Sequence, residues 1–251
     1  MYAAGLTAIG QVRSHNEDVI FHTTQVIGPL PNLFIVADGM GGHNAGEVAS
    51  AKSLEYSTGF IRNSTKVPSP TPEEIQNTLV AATLHANSKV FKHAVDNPAY
   101  YGMGTTFSAC SVVGNILAVS HIGDSRIYTI SHDRITQITT DHTFVEEMVQ
   151  AGSLTPGEAK THPRRNVLTR VLGCDPEITA DGSLHDLTSI NSVLLCSDGL
   201  TDMLSDDEIM KLVNLNASAE ARAEALINAA NNHGGIDNIS AIIIDVKGDA
   251  H

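Results

Sequence analysis

The stretch from Leu33 to Ser50, LFIVADGMGGHNAGEVAS, decides how this chain folds. Five apolar residues run directly into Asp38, four glycines occur within residues 38–46, and a helix-forming sequence follows. The pattern predicts a buried strand that ends on Asp38, a turn, and a helix that begins near Asn44 with Glu47 as its capping-box partner. A tight turn is the simplest explanation of the Asp-Gly pair. A bound phosphate or cation is the alternative, because it explains a carboxylate at the end of a buried strand.

The same arrangement recurs at three other places in the chain. VLLCSDG places Asp198 at the end of an apolar run, SHIGDSR places Asp124 where a strand ends, and GGIDNIS places Asp237 just before a strand begins. Any one of these is usually a turn, but the repetition favours carboxylates gathered around divalent cations. Ligation by oxygen alone favours Mg²⁺ or Mn²⁺. The sequence has neither the acid spacing of an EF-hand nor the HExxH spacing of a zinc site.

A fifth element, GQVRSHNED, places Arg13 shortly before the acidic pair Glu17 and Asp18. A surface arginine is the simpler interpretation when this segment is taken alone. An arginine beside a dication site is, however, suited to a bidentate grip on phosphate.

The composition narrows the class of protein. The 251 residues are 42% hydrophobic, which indicates a globular chain, and the net charge of −13 argues against a nucleic-acid partner. The three cysteines show no CxxC spacing, and Cys110 and Cys196 are expected to be buried free thiols. The N-terminus shows no signal-peptide pattern and no apolar run reaches membrane length, so a cytoplasmic setting is expected. No linker or repeat is visible, which predicts one domain over residues 1–251.

Hairpins dominate the expected secondary structure. DVIFHTT and LFIVAD are predicted to pair, Gly114-Asn115 joins TFSACSVV to ILAVSHI, and 131–133 joins RIYTI to RITQIT. SVLLCSD and ISAIIIDV complete the list of strands. Adjacent hairpins favour antiparallel sheets packed together with helices outside.

Three further helices have clear start signals. Thr71, with Pro72 and Glu74, predicts one capping box, and Ser205 begins a helix with acids in its first turn. A last helix is expected from about 218 to the glycines at 234–235. Within the segment 140–166, a helix is expected in DHTFVEEMVQAG and turns in LTPGEAKTHPRRN, as part of an excursion over the surface.

Taken together, these segments resemble a known family, the metal-dependent protein phosphatases of type 2C, in their bacterial form. The motifs that carry the resemblance occur in order along nearly the whole chain: VRSHNED, VADGMGGHNAGEVAS, GMGTT, GDSRIY, TTDHT, HPRRNVLTRVLG, LLCSDGLTDML and GGIDNIS. The resemblance implies an α+β fold, two packed antiparallel β-sheets flanked by helices. It also implies hydrolysis of phosphoserine and phosphothreonine in proteins by a metal-activated water at a two-metal centre.

The resemblance implies the following metal ligands. Asp38 would bridge two Mn²⁺ or Mg²⁺ ions, the Gly39 carbonyl would bind one of them, and Asp198 and Asp237 would complete the protein ligands of the other. Asp124, with Asp198, matches the pair that binds a third, weaker metal in bacterial relatives.

The remaining roles also follow from the resemblance. Glu17 and Asp18 would act mainly through metal-bound waters, and Arg13 would hold the substrate phosphate. The segment 140–166 would be a mobile flap beside the site. Phosphorylated proteins are the implied partners, with a cognate Ser/Thr kinase among them, no nucleic acid or membrane partner, and a monomeric enzyme.

One position departs from the pattern of many relatives. Met40 stands where eukaryotic members have a histidine proposed to protonate the leaving alcohol. His43, His142, His162 and a metal-bound water remain as alternatives, and the water is ranked first because no motif places these histidines.

Two other functions stay open on the sequence alone. A catalytically weak phosphoprotein-binding pseudophosphatase is the main alternative, although Asp38, Gly39, Asp198 and Asp237 are all present. A different two-metal hydrolase, such as a phosphodiesterase, would be expected to mix histidine with aspartate at its metals.

Overall fold

The computed structural model describes residues 1–41 and 45–246. Its strands, in chain order, are β1 (Tyr2–Ala8), β2 (Asp18–Thr23), β3 (Leu33–Met40), β4 (Gly104–Thr105), β5 (Phe107–Val113), β6 (Ile116–Ile122), β7 (Arg126–Ile130), β8 (Ile135–Gln137), β9 (Asp181–Asp186), β10 (Ser192–Cys196) and β11 (Ile239–Asp245). Its helices are α1 (Ala45–Asn63), α2 (Pro72–Asp96), α3 (Phe144–Gln150), α4 (Pro156–Thr161), α5 (Asp198–Thr201), α6 (Asp206–Val213) and α7 (Ala219–Asn232).

The strands form two sheets of antiparallel pairs. The first sheet has the spatial order β1-β11-β10-β7-β8. The second has the order β2-β3-β5-β6-β9, and β4 pairs with the end of β3. The predicted hairpins β2–β3, β5–β6 and β7–β8 are confirmed, and so is the fold class. Strands β1, β4 and β9 were not predicted.

Three apolar layers hold the sheets and helices together. Alternate residues of β3 point to opposite faces, so Phe34 and Val36 pack between the two sheets while Ile35 and Ala37 pack beneath α1 and α2. A third cluster fills the space between the first sheet and α6 and α7. The order of layers is therefore helices, sheet, sheet, helices.

The helix starts follow the sequence signals. Thr71 closes the predicted capping box of α2, and Ser218 caps α7. Helix α6 follows Ser205 as predicted, and Ser205 and Glu208 also form a capping box that was not predicted. The predicted start of α1 at Asn44 lies outside the described residues, which show the helix from Ala45. The turn predicted in LTPGEAKTHPRRN was wrong in part, because Thr155 caps a short helix there, α4.

The end of β3 differs from the prediction. The strand does not end on Asp38, because Gly39 and Met40 continue it and pair with Thr105 and Gly104 of β4. Asp38 is therefore held inside a paired strand. None of the helices in residues 1–41 and 45–246 is both long and apolar enough to cross a membrane.

Candidate active site

Seven of the eight predicted site residues line one cleft of about 640 Å³. The cleft opens where the ends of the two sheets meet. The eighth, Asp18, is buried. The seven lining residues are Arg13, Glu17, Asp38, Gly39, Asp124, Asp198 and Asp237.

Asp38 is held by its backbone. Its N–H donates to Thr106 Oγ1 (2.9 Å), and its carbonyl accepts from the Thr106 N–H and from Thr105 Oγ1, both at 2.8 Å. Both threonines belong to the GMGTT motif, for which the sequence suggested no role. With the backbone fixed on both sides, the Asp38 side chain is aimed into the cleft.

Asp18 lies directly opposite Asp38 in the β2–β3 ladder. Its Oδ2 accepts from Ser197 Oγ and Ser240 Oγ, each at 2.7 Å, and both serines belong to the first sheet's end of the site. Its Oδ1 is buried without a hydrogen-bond partner. Burial raises the pKa of Asp18 to about 6, against the two serine hydrogen bonds, which lower it.

Asp38, Asp124 and Asp198 form the electrostatic centre of the cleft. Each stays partly accessible from the cleft, but enclosure by protein raises the pKa of all three carboxyls, and the neighbouring carboxylates add to the effect. The pKa of Asp124 rises to about 7, and those of Asp38 and Asp198 rise well above the ordinary range. Like Asp18, Asp198 has a buried Oδ1 with no hydrogen-bond partner.

Arg13 makes its close contact with a carboxylate. Its Nη2 donates to Asp237 Oδ2 at 2.6 Å, and this hydrogen bond is the main reason that the pKa of Arg13 is raised. The pKa of Glu17 is raised, first by burial and against the opposing attraction of Arg13. The predicted phosphate-binding arginine and a predicted metal ligand are thus in direct contact.

Gly39 lies where the chain leaves no room for a side chain. A Cβ there would come within 2.1 Å of the Gly46 carbonyl oxygen in α1 and 2.8 Å of the Glu17 carbonyl oxygen. The Gly39 N–H donates to that Glu17 carbonyl at 3.1 Å. Close approach of α1 to β3 is therefore sufficient reason for the glycine, independently of any ligand.

The segment 140–166 lies beside the cleft and contributes its rim. Asn166 and the next residues through Thr169 line the cleft. The base of the segment is closed by a bridge between Thr143 and Leu168. Above it, the guanidinium of Arg164 stacks 3.8 Å from the ring centroid of Phe144.

The structure removes one histidine from the candidates for the general acid. His142 is buried, its Nδ1 accepts from the Gly123 N–H (3.1 Å), and its Nε2 contacts Asp181 Oδ2 (3.1 Å). Both ring nitrogens are engaged away from the cleft. His162 is not among the lining residues, and His43 lies outside the described residues. Met40 lines the cleft and is 36% exposed.

The donor chemistry fits a hard divalent cation. In residues 1–41 and 45–246, no three His, Cys, Asp or Glu side chains already surround a single ion position. The cleft nevertheless concentrates carboxylate oxygens in a poorly solvated place, and Oδ1 of Asp18 and of Asp198 lacks any partner. Buried charges of one sign are unfavourable unless a cation neutralises them.

Four supporting residues were missed by sequence reasoning. Thr106, Ser197, Ser240 and Asn238 carry no charge, so a search for ionisable ligands passes over them. Their one signal in the sequence is position, because all four lie within the motifs GMGTT, LLCSDGLTDML and GGIDNIS.

Carboxylate oxygens that lie together beside an arginine are suited to metal-dependent hydrolysis of a phosphate ester. The family model for "Protein phosphatase 2C" matches residues 10–232. The protein phosphatase PhpP of Streptococcus pneumoniae is 37% identical over 242 residues, 96% of each chain, and the serine/threonine phosphatase Stp of Listeria innocua is 32% identical over 98% of this chain and 96% of its own. A solved structure of the PstP catalytic domain, in complex with two manganese ions, superposes with a TM-score of 0.81 at 33% identity over 97% of both chains.

The chain belongs to the protein phosphatase 2C family. Its activity is the metal-dependent hydrolysis of phosphoserine and phosphothreonine in proteins. The alternative of a catalytically weak phosphoprotein-binding module is not favoured by these comparisons.

Proposed function

We propose that the cleft carboxylates hold the divalent cations with which this phosphatase works. The observation that carries the proposal is the pair of buried Oδ1 atoms of Asp18 and Asp198, which have no hydrogen-bond partner within residues 1–41 and 45–246. An unpartnered buried carboxylate oxygen costs free energy unless a cation or a donor satisfies it. Both oxygens belong to the group of carboxyls around Asp38 whose pKa values are raised.

Within this proposal the residues divide by position. Asp38 would bridge two cations, with the Gly39 carbonyl on one of them and Asp198 and Asp237 on the other. Asp124 would share a third, weaker cation with Asp198. Glu17 and Asp18 would orient waters on the cations, and the free Oδ1 of Asp18 is suited to that task.

Mn²⁺ and Mg²⁺ are the proposed cations, two in each site. The support is the all-oxygen donor set, together with the two manganese ions in the PstP complex. Bound cations supply an activated water as nucleophile and neutralise charge on the phosphoryl group.

Arg13 is proposed to bind the phosphoryl oxygens. Its side chain is half exposed at the mouth of the cleft, at 52%, and presents a fixed donor fork. Its contact with Asp237 holds the guanidinium beside a cleft carboxylate. A second edge of the guanidinium remains for phosphate, since Nη2 alone makes that contact. Both ring nitrogens of His142 are engaged, so this histidine is not available to protonate the leaving alcohol.

The natural substrates are proposed to include a cognate Ser/Thr kinase and the proteins it phosphorylates, and the enzyme is proposed to act as a monomer. Substrate proteins would meet the cleft along the rim formed by residues 166–169, at the end of the segment beside the site.

Turnover of a phosphothreonine peptide during a Mn²⁺ titration tests the proposal. Activity should vanish in EDTA, return with Mn²⁺ or Mg²⁺, and fall by several orders of magnitude in Asp38→Asn. Asp96→Asn is the matched control, because Asp96 is an exposed residue at the end of α2, where it pairs with Lys92. Full activity of the metal-stripped enzyme would contradict the proposal.

A further inference from the structure

The loop between β1 and β2, residues 9–17, is tied down by one buried side chain. The Asn238 amide Nδ2 donates to the carbonyls of Ile9 (3.0 Å) and His15 (2.8 Å), and its Oδ1 accepts from the Glu17 N–H (2.8 Å). Asn238 is only 5% exposed. One amide thus joins both ends of the loop that carries Arg13.

Backbone contacts seat the same loop on the segment 235–238. The Gln11 N–H donates to the Gly235 carbonyl at 2.7 Å. Gly10 has φ +82°, and a Cβ there would lie 2.2 Å from the Asp237 carbonyl oxygen. The Asn238 N–H itself donates to Asp237 Oδ1 at 2.8 Å.

The side chain and the backbone of Asn238 hold different parts of the site. The side chain holds the arginine loop, whereas the backbone N–H holds the Asp237 carboxylate. Aspartate cannot replace it, because a carboxylate has no N–H to donate to two carbonyls. Because its amide is committed to the loop, Asn238 acts on the site through the residues that it holds.

We propose that Asn238 is a positioning residue that fixes the guanidinium of Arg13 at the distance from Asp237 needed to bind a phosphoryl group. The inference rests on the proposed roles of Arg13 and Asp237. Truncating the side chain would free the loop and weaken phosphate binding, while the backbone N–H of residue 238 still holds the Asp237 carboxylate.

Inorganic phosphate is the probe, used as a competitive inhibitor of the Mn²⁺-loaded enzyme, alongside KM and kcat for a phosphothreonine peptide. Asn238→Ala should raise the inhibition constant and KM by about tenfold, the size of one or two lost net hydrogen bonds. Mn²⁺ affinity, measured by calorimetry without substrate, should change by no more than about twofold.

Asn231→Ala is the matched control. Its Oδ1 accepts from Gln11 Nε2 of the same loop, but at 3.3 Å and on the surface. This variant should leave the phosphate inhibition constant unchanged, because the backbone anchors and Asn238 remain.

The double variant with Arg13→Ala decides whether Asn238 works through the arginine. If it does, Asn238→Ala adds little to the loss of phosphate affinity already caused by Arg13→Ala. Equal losses in both backgrounds, or a parallel loss of Mn²⁺ affinity, would overturn the inference.

Two further results keep the test decisive. If Asn238→Ala fails to fold, Asn238→Asp keeps the shape and removes both donors, and hydrogen exchange at the Gln11 amide should accelerate. Unchanged exchange with an unchanged phosphate constant would refute the positioning role. If Arg13→Ala itself leaves the phosphate constant unchanged, the proposed role of Arg13 fails first, and that result is distinct from failure of Asn238→Ala alone.

Discussion

Asp18 and Asp38 face each other across the β2–β3 ladder, and their surroundings give them different tasks. Both belong to the second sheet, but Asp18 is buried and accepts hydrogen bonds from Ser197 and Ser240 at the end of the first sheet, whereas Asp38 faces the cleft. Asp18 therefore ties the two sheets together where the site opens. Asp198 and Asp237 reach the cleft from the first sheet's side, so packing of the sheets sets the distances among the carboxylates.

Replacement of Asp38 should separate two effects of the carboxylate cluster on stability. The first is destabilisation by repulsion when no metal is bound, and the second is stabilisation by bound Mn²⁺. In EDTA, Asp38→Asn should unfold at or above the wild-type temperature, because one of the mutually repelling carboxyls is gone. Mn²⁺ at 100 times its Kd should stabilise the wild type by about 2.7 kcal/mol, or roughly 5–10 °C in Tm. The variant should show little of that shift.

Differential scanning calorimetry with and without Mn²⁺ measures both effects. Asp96→Asn again serves as the control and should respond to Mn²⁺ as the wild type does. A full Mn²⁺-induced shift in Asp38→Asn would show that the cation binds elsewhere.

Gly39→Ala tests the close approach of α1 to β3. The new Cβ would meet the Gly46 carbonyl oxygen at 2.1 Å, so α1 must move, at an expected cost of about 1–3 kcal/mol and with loss of activity. The Gly39 carbonyl itself is retained in this variant, so the change tests packing and not the removal of a ligand. Chemical unfolding and phosphopeptide turnover measure the two results.

Gly59, a glycine within α1, provides the control for that prediction. A Cβ at Gly59 would meet nothing within 4 Å, so Gly59→Ala should stabilise the protein by up to about 1 kcal/mol through helix propensity. Equal stability of the two alanine variants would contradict the packing explanation of Gly39.

Arg126 and Asp141 form an ion pair between two of the motifs, GDSRIY and TTDHT. Arg126 Nε lies 3.0 Å from both carboxylate oxygens and Nη2 lies 2.7 Å from one of them. Arg126→Met should lower the free energy of unfolding by about 2–3 kcal/mol, because the Asp141 charge then keeps the hydrogen bond from the Gln137 amide but loses its ion pair. This loss is somewhat below that expected for a fully buried pair. Arg134→Met, an exposed arginine on the same hairpin, should change stability by less than about 0.5 kcal/mol in urea unfolding.

How much the sequence could predict depended on the range of each interaction. The signals that begin helices at Thr71 and Ser205 act within four residues, and these helix starts were predicted correctly. The end of β3 was placed two residues too early, because Gly39 and Met40 pair with β4, a two-residue strand about 65 positions later in the chain. Strand β9, with the sequence DGSLHD, lacks an apolar run and gave no signal.

In the site, too, local patterns were predicted and contacts between distant residues were not. Repeated acids at apolar strand ends brought Asp38, Asp198 and Asp237 to attention as one group, and they do line one cleft. The contact of Arg13 with Asp237 joins residues 224 positions apart and depends on the packing of two loops. The supporting Asn238 and Ser197 are neutral, and only the fold shows what they hold.

The buried His121, which lies away from the proposed metal ligands, should make native stability depend on pH. Its Nε2 contacts the Thr140 carbonyl (3.0 Å), its Nδ1 contacts Ser108 Oγ (2.9 Å), and its ring lies 4.9 Å from that of His142. Burial, and then the proximity of His142, lowers the pKa of His121 from 6.5 to about 4, against the weaker opposing pull of Asp141 and Asp181.

The direction of the pH effect follows from which state binds the proton. The unfolded chain takes up a proton at His121 below pH 6.5, but the native protein does so only near pH 4, so this histidine lowers native stability as pH falls between those values. From pH 6.5 to pH 5 the loss is roughly 2 kcal/mol. The buried carboxylates have raised pKa values and act in the opposite sense, but they are common to the wild type and to a His121 variant.

Comparison with His121→Gln therefore isolates the effect. Glutamine retains a donor and an acceptor for Thr140 and Ser108 but does not titrate. In urea unfolding without divalent cations, the stability of the wild type relative to the variant should fall by roughly 2 kcal/mol between pH 7.5 and pH 5. His142 is retained in both proteins, so its own titration cancels to first order. A difference that stays constant across this range would show that His121 does not resist protonation in the native state.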